Sequence, residues 1–314
     1  MQVFRKSRPY TIVADDAAQG RLSHAYLLLC PDAKNLRAFL KELAKPVACD
    51  GLEPAARARA ERLIDEEMYA DCRVFPAPGE KCGVAEVRDL LGDCIVKPME
   101  GRRKVFVLDA VQEMLAPAQN KLLKVLEEPP ANVHFLLGST NEFSVLPTVR
   151  SRVKKLELPA FSEADAEEYL RQKYPQRQDC RELAALSGGV LGRAEELAEA
   201  GEGQFAQAAE LALTLSPAGI PAAARAVTDR AGAARLLAAL RLVFRDMLML
   251  RLGRQEGFLA GGAALQTLRR AAPRYTVAAL LGAQDRIGEA ERALRANANL
   301  AMCFEALFYG ILEG

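Results

Sequence analysis

The sequence predicts an α/β domain with a parallel sheet, followed by a region that is entirely helical. Val105 to Leu108 is a short, continuous apolar run that ends in Asp109. This pattern is typical of a strand covered on both faces, with a polar residue at its carboxyl end. Strand patterns alternate with helical ones up to Pro159, and helical patterns dominate after it. Such an order favours a parallel-sheet domain joined to helical domains.

Each element of the α/β region follows from its local pattern. Ala25 to Cys30 and His134 to Leu137 predict two further strands, and Leu156 to Pro159 predicts the last one. The first of these strands leads into a helix that carries its apolar residues on one face, namely Leu36, Phe39, Leu40 and Leu43. A second helix has apolar residues at the same spacing and stops before a proline: Leu115, Leu122, Leu123, Leu126 and Pro129.

Between these elements the sequence predicts two shorter helices and a loop. Glu53 to Met68 is a charged segment with helical character, and Val84 to Leu91 has the spacing of a short amphipathic helix. Phe75 to Gly79 is rich in proline and glycine, which indicates a loop.

The helical region begins with a capping signature at Ser162 to Asp165, and Ser187 to Gly189 interrupts it. A second boundary is expected near Gly201 to Gly203. Leu236 to Leu248 then repeats apolar residues at i, i+3 and i+4, which suits a bundle helix.

Composition limits the function. The 314 residues carry 42 basic and 41 acidic side chains, a net charge of +1, so the whole chain lacks the basic surplus of a protein that binds nucleic acid tightly by itself. The first ten residues contain no apolar signal segment, and no uncharged apolar stretch approaches the roughly 18 residues that span a bilayer. Seven cysteines without a secretion signal suit a reducing compartment. We therefore expect a soluble, cytoplasmic protein with no membrane contact.

One block of the sequence carries most of the functional argument. It contains Val-Phe-Val-Leu-Asp at 105–109, Leu-Glu-Glu-Pro-Pro at 126–130, then Thr140 and Ser151-Arg152. An ordinary βαβ unit could supply any one of these features, but their joint occurrence resembles the AAA+ core of bacterial clamp loaders. In that resemblance Asp109 stands at the Walker B position, Thr140 at sensor 1 and Arg152 in the Ser-Arg-Cys motif. Val153 replaces the usual cysteine and leaves the arginine in place.

The resemblance covers essentially the whole chain and implies three domains. These are an AAA+ core at residues 1–160, a small helical lid at 161–202 and a helical collar for oligomerisation at 203–314. Arg292 to Asn299 resembles the last collar helices of this family. Periodicity alone does not distinguish a collar from a plain helical bundle.

The loop that should hold nucleotide is degenerate. A working P-loop needs G-x-x-x-x-G-K-[ST], because glycines let backbone N–H groups surround the phosphates and the lysine neutralises them. At equal length, Cys30 and Asn35 take the glycine positions, Leu36 the lysine position and Arg37 that of the magnesium-binding hydroxyl. Lys34 could be imagined as a displaced phosphate ligand. The simpler interpretation is a solvated basic stripe on one helical face, formed by Lys34, Arg37, Lys41 and Lys45.

Two further positions agree with lost hydrolysis. Ala110 follows Asp109, where ATPases of this family carry the glutamate that polarises water. Arg193 follows Gly192 at the position of sensor 2, where an ATPase arginine would touch phosphate. Without a working P-loop, Arg193 is expected to pack in the lid or at an interface.

Zinc binding is the more specific hypothesis for the cysteines, as opposed to free thiols, because related subunits commonly insert a zinc module after the first helix. Cys49, Cys72, Cys82 and Cys94 occupy that place here, but no C-x-x-C pair exists. Structural zinc usually needs ligands paired at short spacing. We therefore expect no metal and no bound cofactor. His134, inside an apolar strand, is expected to be a core residue with a satisfied hydrogen bond.

The resemblance implies a non-hydrolysing subunit that completes an ATPase ring. Arg152 would act in trans as an arginine finger on ATP held by a neighbouring subunit, during loading of a sliding clamp on primed DNA. Expected partners are the clamp-loader ATPase subunits and the delta subunit, with the clamp and primed DNA reached through the complex. The alternative is an active clamp-loader ATPase with an unconventional loop. An independent DNA-binding module is disfavoured by the balanced charge.

Overall fold

A computed structural model describes residues 2–199, 203–254, 258–260 and 262–313. The chain divides into two compact units. The first comprises Met1–Asp165 together with Val190–Arg193, and the second comprises Ala166–Gly189 and Ala194–Gly314. The expected lid boundary near Gly201–Gly203 lies mostly outside the described residues. The division into core, lid and collar therefore stays a prediction.

The first unit is built on a five-stranded parallel sheet with the strand order β2-β3-β4-β1-β5. Its strands are β1 (Ala25–Leu29), β2 (Cys72–Phe75), β3 (Lys104–Leu108), β4 (Val133–Ser139) and β5 (Lys154–Glu157). The two central strands β3 and β4 are buried along their whole length, as their continuous apolar runs predicted. The predicted fold class, α/β plus all-α, is confirmed.

Helices fill the rest of the described chain. In the first part they are α1 (Gln2–Arg5), α2 (Arg8–Ala18), α3 (Leu36–Ala48), α4 (Pro54–Asp65), α5 (Val84–Asp93), α6 (Ala116–Glu127) and α7 (Pro147–Arg150). They continue as α8 (Glu163–Lys173), α9 (Cys180–Ser187), α10 (Leu191–Glu199), α11 (Gln204–Thr214), α12 (Ile220–Arg225), α13 (Arg230–Arg251), α14 (Gly262–Ala271), α15 (Val277–Arg295) and α16 (Leu300–Glu313).

The core of the first unit lies between the sheet and its flanking helices. Phe106 is fully buried in β3, with its ring centroid 5.7 Å from that of Phe135 on β4 and 6.5 Å from that of Phe75 on β2. On α3, Leu36 and Leu40 pack so closely on β4 that a Cβ at Gly138 would lie 2.6 Å from Leu40 Cδ1. The absence of a side chain at Gly138 therefore lets the helix that follows the degenerate loop rest directly on the sheet.

Helix ends follow the predicted signals. Helix α6 ends at Glu127, two residues before Pro129, and α4 lies inside its predicted segment, whereas α5 begins at Val84 as predicted and extends two residues beyond Leu91. Ser162 Oγ accepts from Asp165 N–H at 3.1 Å at the start of α8, as a capping residue should. His134 is buried and its Nδ1 lies 2.9 Å from Ser23 O, which confirms the predicted satisfied core histidine.

The second unit is helical in its described residues. Helix α13 packs against α11, α14 and α15, and α15 packs against α16. The apolar face of α13 is buried as its spacing predicted, including Leu237, Leu240, Val243, Phe244 and Met247. The segment Arg292 to Asn299 differs from a single helix, because α15 ends at Arg295 and Asn297 has a positive φ of 61°. The chain turns there before α16 begins.

Candidate functional site

The site expected from the sequence lies at the carboxyl ends of the parallel strands, where ligands of open α/β sheets bind. Asp109 follows β3 and Thr140 follows β4. The loop after β1 leads into α3, and β2 ends at Phe75, next to β3 in the sheet. The parallel register of β1, β4 and β3 therefore brings these predicted positions to one edge of the sheet.

Arg37 occupies the middle of this edge. Its Nε and Nη2 donate to the two carboxylate oxygens of Glu67 at 2.7 and 2.5 Å. Its Nη1 donates to Pro76 O at 2.9 Å and lies 3.9 Å from Asp109 Oδ2. A planar guanidinium with two parallel bonds to one carboxylate is the strongest form of such a pair. A positive charge thus lies beside Asp109, the candidate Walker B residue.

The two carboxylates beside Arg37 respond in opposite directions. The hydrogen bonds from Arg37 lower the pKa of Glu67 below its usual value, with a further contribution from Lys41. Burial raises the pKa of Asp109, and the charge of Arg37 only partly offsets it. Arg37 therefore interacts mainly with Glu67, and its interaction with Asp109 is weaker because the two charged groups are farther apart.

Leu36 stands where a working loop has its lysine, and it points into the core. It is 1% exposed and lies in the packing of α3 against Gly138 on β4. The position therefore contributes to the hydrophobic core and supplies no charge for a phosphate.

The predicted solvated basic stripe is wrong for three of its four members. Lys45 is 3% exposed and its ammonium pairs with Glu42 at 2.6 Å and Asp65 at 2.8 Å. Arg37 and Lys41 both pair with Glu67. The helical pattern placed these cations on one face but did not show that acidic residues from elsewhere in the fold cover it. Lys34 is exposed.

The positions after β3 and β4 are held by backbone geometry. Ala110 adopts a left-handed conformation with φ of 51°, and the turn Val111–Glu113 follows it. Thr140 N–H donates to Gln112 Oε1 at 3.2 Å, so the candidate sensor 1 residue is tied to that turn. The turn after β3 thus holds the start of the segment after β4, and Ala110 offers no carboxylate at this edge.

Arg152 forms a separate cluster beyond α7. Its Nη1 donates to Thr148 O at 2.8 Å and lies 3.1 Å from Ser151 Oγ, and its Nη2 lies 2.5 Å from Glu127 Oε1. The side chains of Arg152 and Glu127 are 33% and 50% exposed. Glu127 belongs to the Leu-Glu-Glu-Pro-Pro motif, so the structure joins two sequence features that had been treated independently.

The degenerate loop has contacts of its own. Asp32 is 4% exposed and accepts from Asn35 N–H at 3.1 Å, Asn35 Nδ2 at 3.1 Å and Gly192 N–H at 2.8 Å. Arg193, the candidate sensor 2 residue, follows directly on α10 and is half-buried. Sequence reasoning did not single out Asp32, Glu67 or Glu127, since each acts through partners 25 to 160 positions away.

The cysteines discussed for zinc are free thiols. Burial raises the pKa of Cys49 and Cys82 to about 11 and of Cys72 and Cys94 to about 12. Without a metal ion these thiols are therefore protonated at neutral pH. Within the described ranges no three His, Cys, Asp or Glu side chains are arranged to hold a metal ion. None of the described helices has the length and apolar character needed to cross a bilayer.

The fold is an α/β domain with a five-stranded parallel sheet, joined to helices, and charged side chains bind one another at the carboxyl edge of the sheet. A profile for the family described as "DNA polymerase III, delta subunit" matches residues 6–162, half of the chain. The chain belongs to this family, and the resemblance inferred from its motifs is confirmed. It is of the delta-prime type, as the comparison with individual relatives shows.

DNA polymerase III subunit delta' of Pseudomonas aeruginosa is 35% identical over 176 residues, which cover 53% of each chain. DNA polymerase III subunit tau of Escherichia coli is 30% identical over 189 residues, 59% of this chain and 29% of that protein. A gamma-subunit-related protein of Thermotoga maritima covers 96% of this chain and 98% of its own at 18% identity, with a TM-score of 0.44. The chain spans about half the length, or less, of the two curated relatives it matches.

Proposed function

We propose that this chain is a non-hydrolysing, delta-prime-type subunit of the DNA polymerase III clamp loader. The observation that carries the proposal is Arg37, whose guanidinium occupies the nucleotide edge and is bound to Glu67 and Pro76 O. A fixed cation beside Asp109 repels the divalent cation that phosphoryl transfer requires. Leu36 and Ala110 add the loss of the phosphate-binding lysine and of the catalytic base.

In this proposal, Arg152 is the residue that acts in ATP hydrolysis. In the ring it would meet the charge that develops on ATP held by a neighbouring subunit, and it would couple ring closure to opening of the sliding clamp. Its ion pair with Glu127 is partly exposed, and such pairs contribute about 0–1 kcal/mol. An arginine finger contributes roughly 10³–10⁵ in rate, or about 4–7 kcal/mol of transition-state stabilisation. Breaking the ion pair with Glu127 would therefore cost much less free energy than Arg152 would contribute by contacting the phosphate of ATP on a neighbouring subunit.

The proposed partners follow from this role. They are the ATPase subunits and the delta subunit of the loader, with the sliding clamp and primed DNA reached through the complex. The chain itself is proposed to need no nucleotide, metal or zinc, and to work in the cytoplasm. A clamp-loader ATPase with an unconventional loop remains the rival function, and ATP binding by the isolated chain distinguishes the two.

The test is the variant Arg152→Ala in a reconstituted loader, with Arg150→Ala as the matched control. Arg150 is a neighbouring arginine that pairs with Glu142 instead. Arg152→Ala should leave assembly intact, lower clamp-stimulated ATP hydrolysis partially and lower clamp loading more strongly, because the ATP sites act in concert. Arg150→Ala should change neither rate by as much. Unchanged hydrolysis and loading with Arg152→Ala in a fully assembled complex would refute the finger.

A further inference from the structure

Asp32 is a buried carboxylate inside the degenerate loop, and its partners are unusual. Of the three hydrogen bonds described for its side chain, two come from Asn35, which stands at the N-cap position of α3 without capping the helix through its own side chain. The third comes from the backbone N–H of Gly192, 160 positions away, at the start of α10. Both residues belong to the first compact unit. A routine helix cap would explain the bonds to Asn35 but leaves the bond to Gly192 unexplained.

The donors around Asp32 are of the kind that bind phosphate. Backbone N–H groups at helix N-termini attract anions through their unsatisfied donors and the helix dipole, and nucleotide-binding loops use them in this way. A carboxylate that is 4% exposed needs such bonds, because an unpaired buried charge is strongly unfavourable. The anion in this loop is therefore supplied by the protein itself.

The contact also imposes a steric requirement. A Cβ at Gly192 would lie 2.3 Å from Asp32 Oδ1 and 2.7 Å from Lys34 Cβ. Both distances are far below van der Waals contact, so the backbone at 192 approaches the loop as closely as glycine alone permits. The buried carboxylate and the close approach of the Gly192 backbone thus belong to one contact, and the distance to Lys34 Cβ shows that the rest of the loop is equally near.

We propose that the Asp32 carboxylate is a built-in anion that replaces nucleotide phosphate and holds Val190–Arg193 against the loop after β1, within the first unit. We call this contact between Asp32 and Gly192 the clasp. In an ATPase this segment would be tied to the loop through bound nucleotide, whereas here the tie is part of the polypeptide. The attachment is then permanent and independent of ATP. This inference goes beyond the role of Arg152 and does not rest on it.

Hydrogen exchange of the full-length protein, followed by mass spectrometry of peptides that cover residues 190–193, tests the clasp. Asp32→Ala and Gly192→Ala should each speed exchange there by about tenfold or more, since a hydrogen bond to a charged group is lost. Asp32→Asn, which keeps one acceptor oxygen without the charge, should have a smaller effect. The double variant Asp32→Ala/Gly192→Ala should be little worse than either single variant, because both remove one interaction.

Asp229→Ala is the matched control. Asp229 caps α13 by accepting from Gly232 N–H at 2.7 Å, so this change removes a similar aspartate-to-glycine bond elsewhere. It should leave exchange at residues 190–193 unchanged. Exchange in folded Asp32→Ala and Asp32→Asn within about twofold of the wild type would overturn the clasp, because the lost bond should give a larger change.

Hydrogen exchange measured with added nucleotide distinguishes failure of the clasp from failure of the proposed function. ATP with magnesium should not slow exchange at residues 190–193 of the wild type. Slowing by about tenfold would overturn the ATP-independent attachment and also show a working nucleotide site. Loss of the Arg152 effect in the reconstituted loader would refute the finger and leave the clasp standing.

Discussion

At the scale of single residues, charged side chains of the chain bind one another at the carboxyl edge of the sheet. Arg37 contributes the positive charge and Asp32 the negative one. Each is satisfied by partners that the sequence separates widely, Glu67 for the arginine and Gly192 for the aspartate. The polar groups of the loop after β1 and of the start of α3 are therefore satisfied by other groups of the chain.

The Arg37–Glu67 pair predicts a specific pH dependence of stability. The pKa of Glu67 is lowered in the folded protein mainly by hydrogen bonds from Arg37. Its contribution to stability is therefore present above its ordinary pKa of 4.5 and is lost as the pH falls through the lower, folded value. Glu67→Gln should be less stable than the wild type at neutral pH. The difference should shrink as the pH falls below 4.5.

Denaturant unfolding at neutral and acidic pH measures this difference. Glu66→Gln is the control, because Glu66 is the adjacent, exposed carboxylate, 4.0 Å from Arg62. Asp109 is present in all three proteins, but the charge of Glu67 contributes to its raised pKa, so Glu67→Gln also lowers the pKa of Asp109 and the comparison includes this coupling. A difference between Glu67→Gln and wild type that is constant with pH would show that the pair does not stabilise the fold.

At the scale of elements, the sheet is held by aromatic contacts between neighbouring strands. Phe106 stacks between Phe75 and Phe135 and is fully buried. Phe106→Ala should destabilise the protein by about 3–5 kcal/mol, because it removes apolar contacts and leaves a cavity. Denaturant unfolding at neutral pH measures the effect.

Phe143→Ala is the control for size and chemistry, since Phe143 is 87% exposed on the turn after β4. It should change stability by no more than about 0.5 kcal/mol. Equal losses for the two variants would contradict the assignment of Phe106 to the core.

At the scale of the whole molecule, the isolated chain should not bind ATP. The lysine position is a buried leucine, Arg37 holds the cation position and Asp32 takes donors that phosphate would need. Calorimetric titration with ATP and magnesium should give no measurable heat of binding, with a P-loop ATPase under the same conditions as the positive control. Micromolar, one-to-one binding would favour the rival ATPase function.

The sequence by itself determined the parallel sheet, the helical remainder, the degenerate loop and the family. These follow from local patterns, since strand burial, helical spacing and motif positions are all written in neighbouring residues. The basic face of α3 marks the limit of this reasoning. Periodicity placed Arg37, Lys41 and Lys45 together, with Glu42 three positions before Lys45 on the same helix, but gave no sign that Glu67 and Asp65 also neutralise this face.

Only the tertiary structure decided which charges meet. Glu67 reaches Arg37 across 30 positions, Glu127 reaches Arg152 across 25 and Gly192 reaches Asp32 across 160. Such pairs have no local signature, because a carboxylate on the surface and one that holds an arginine have the same sequence context. Burial and distance distinguish them, and both arise only when the strands and helices have packed.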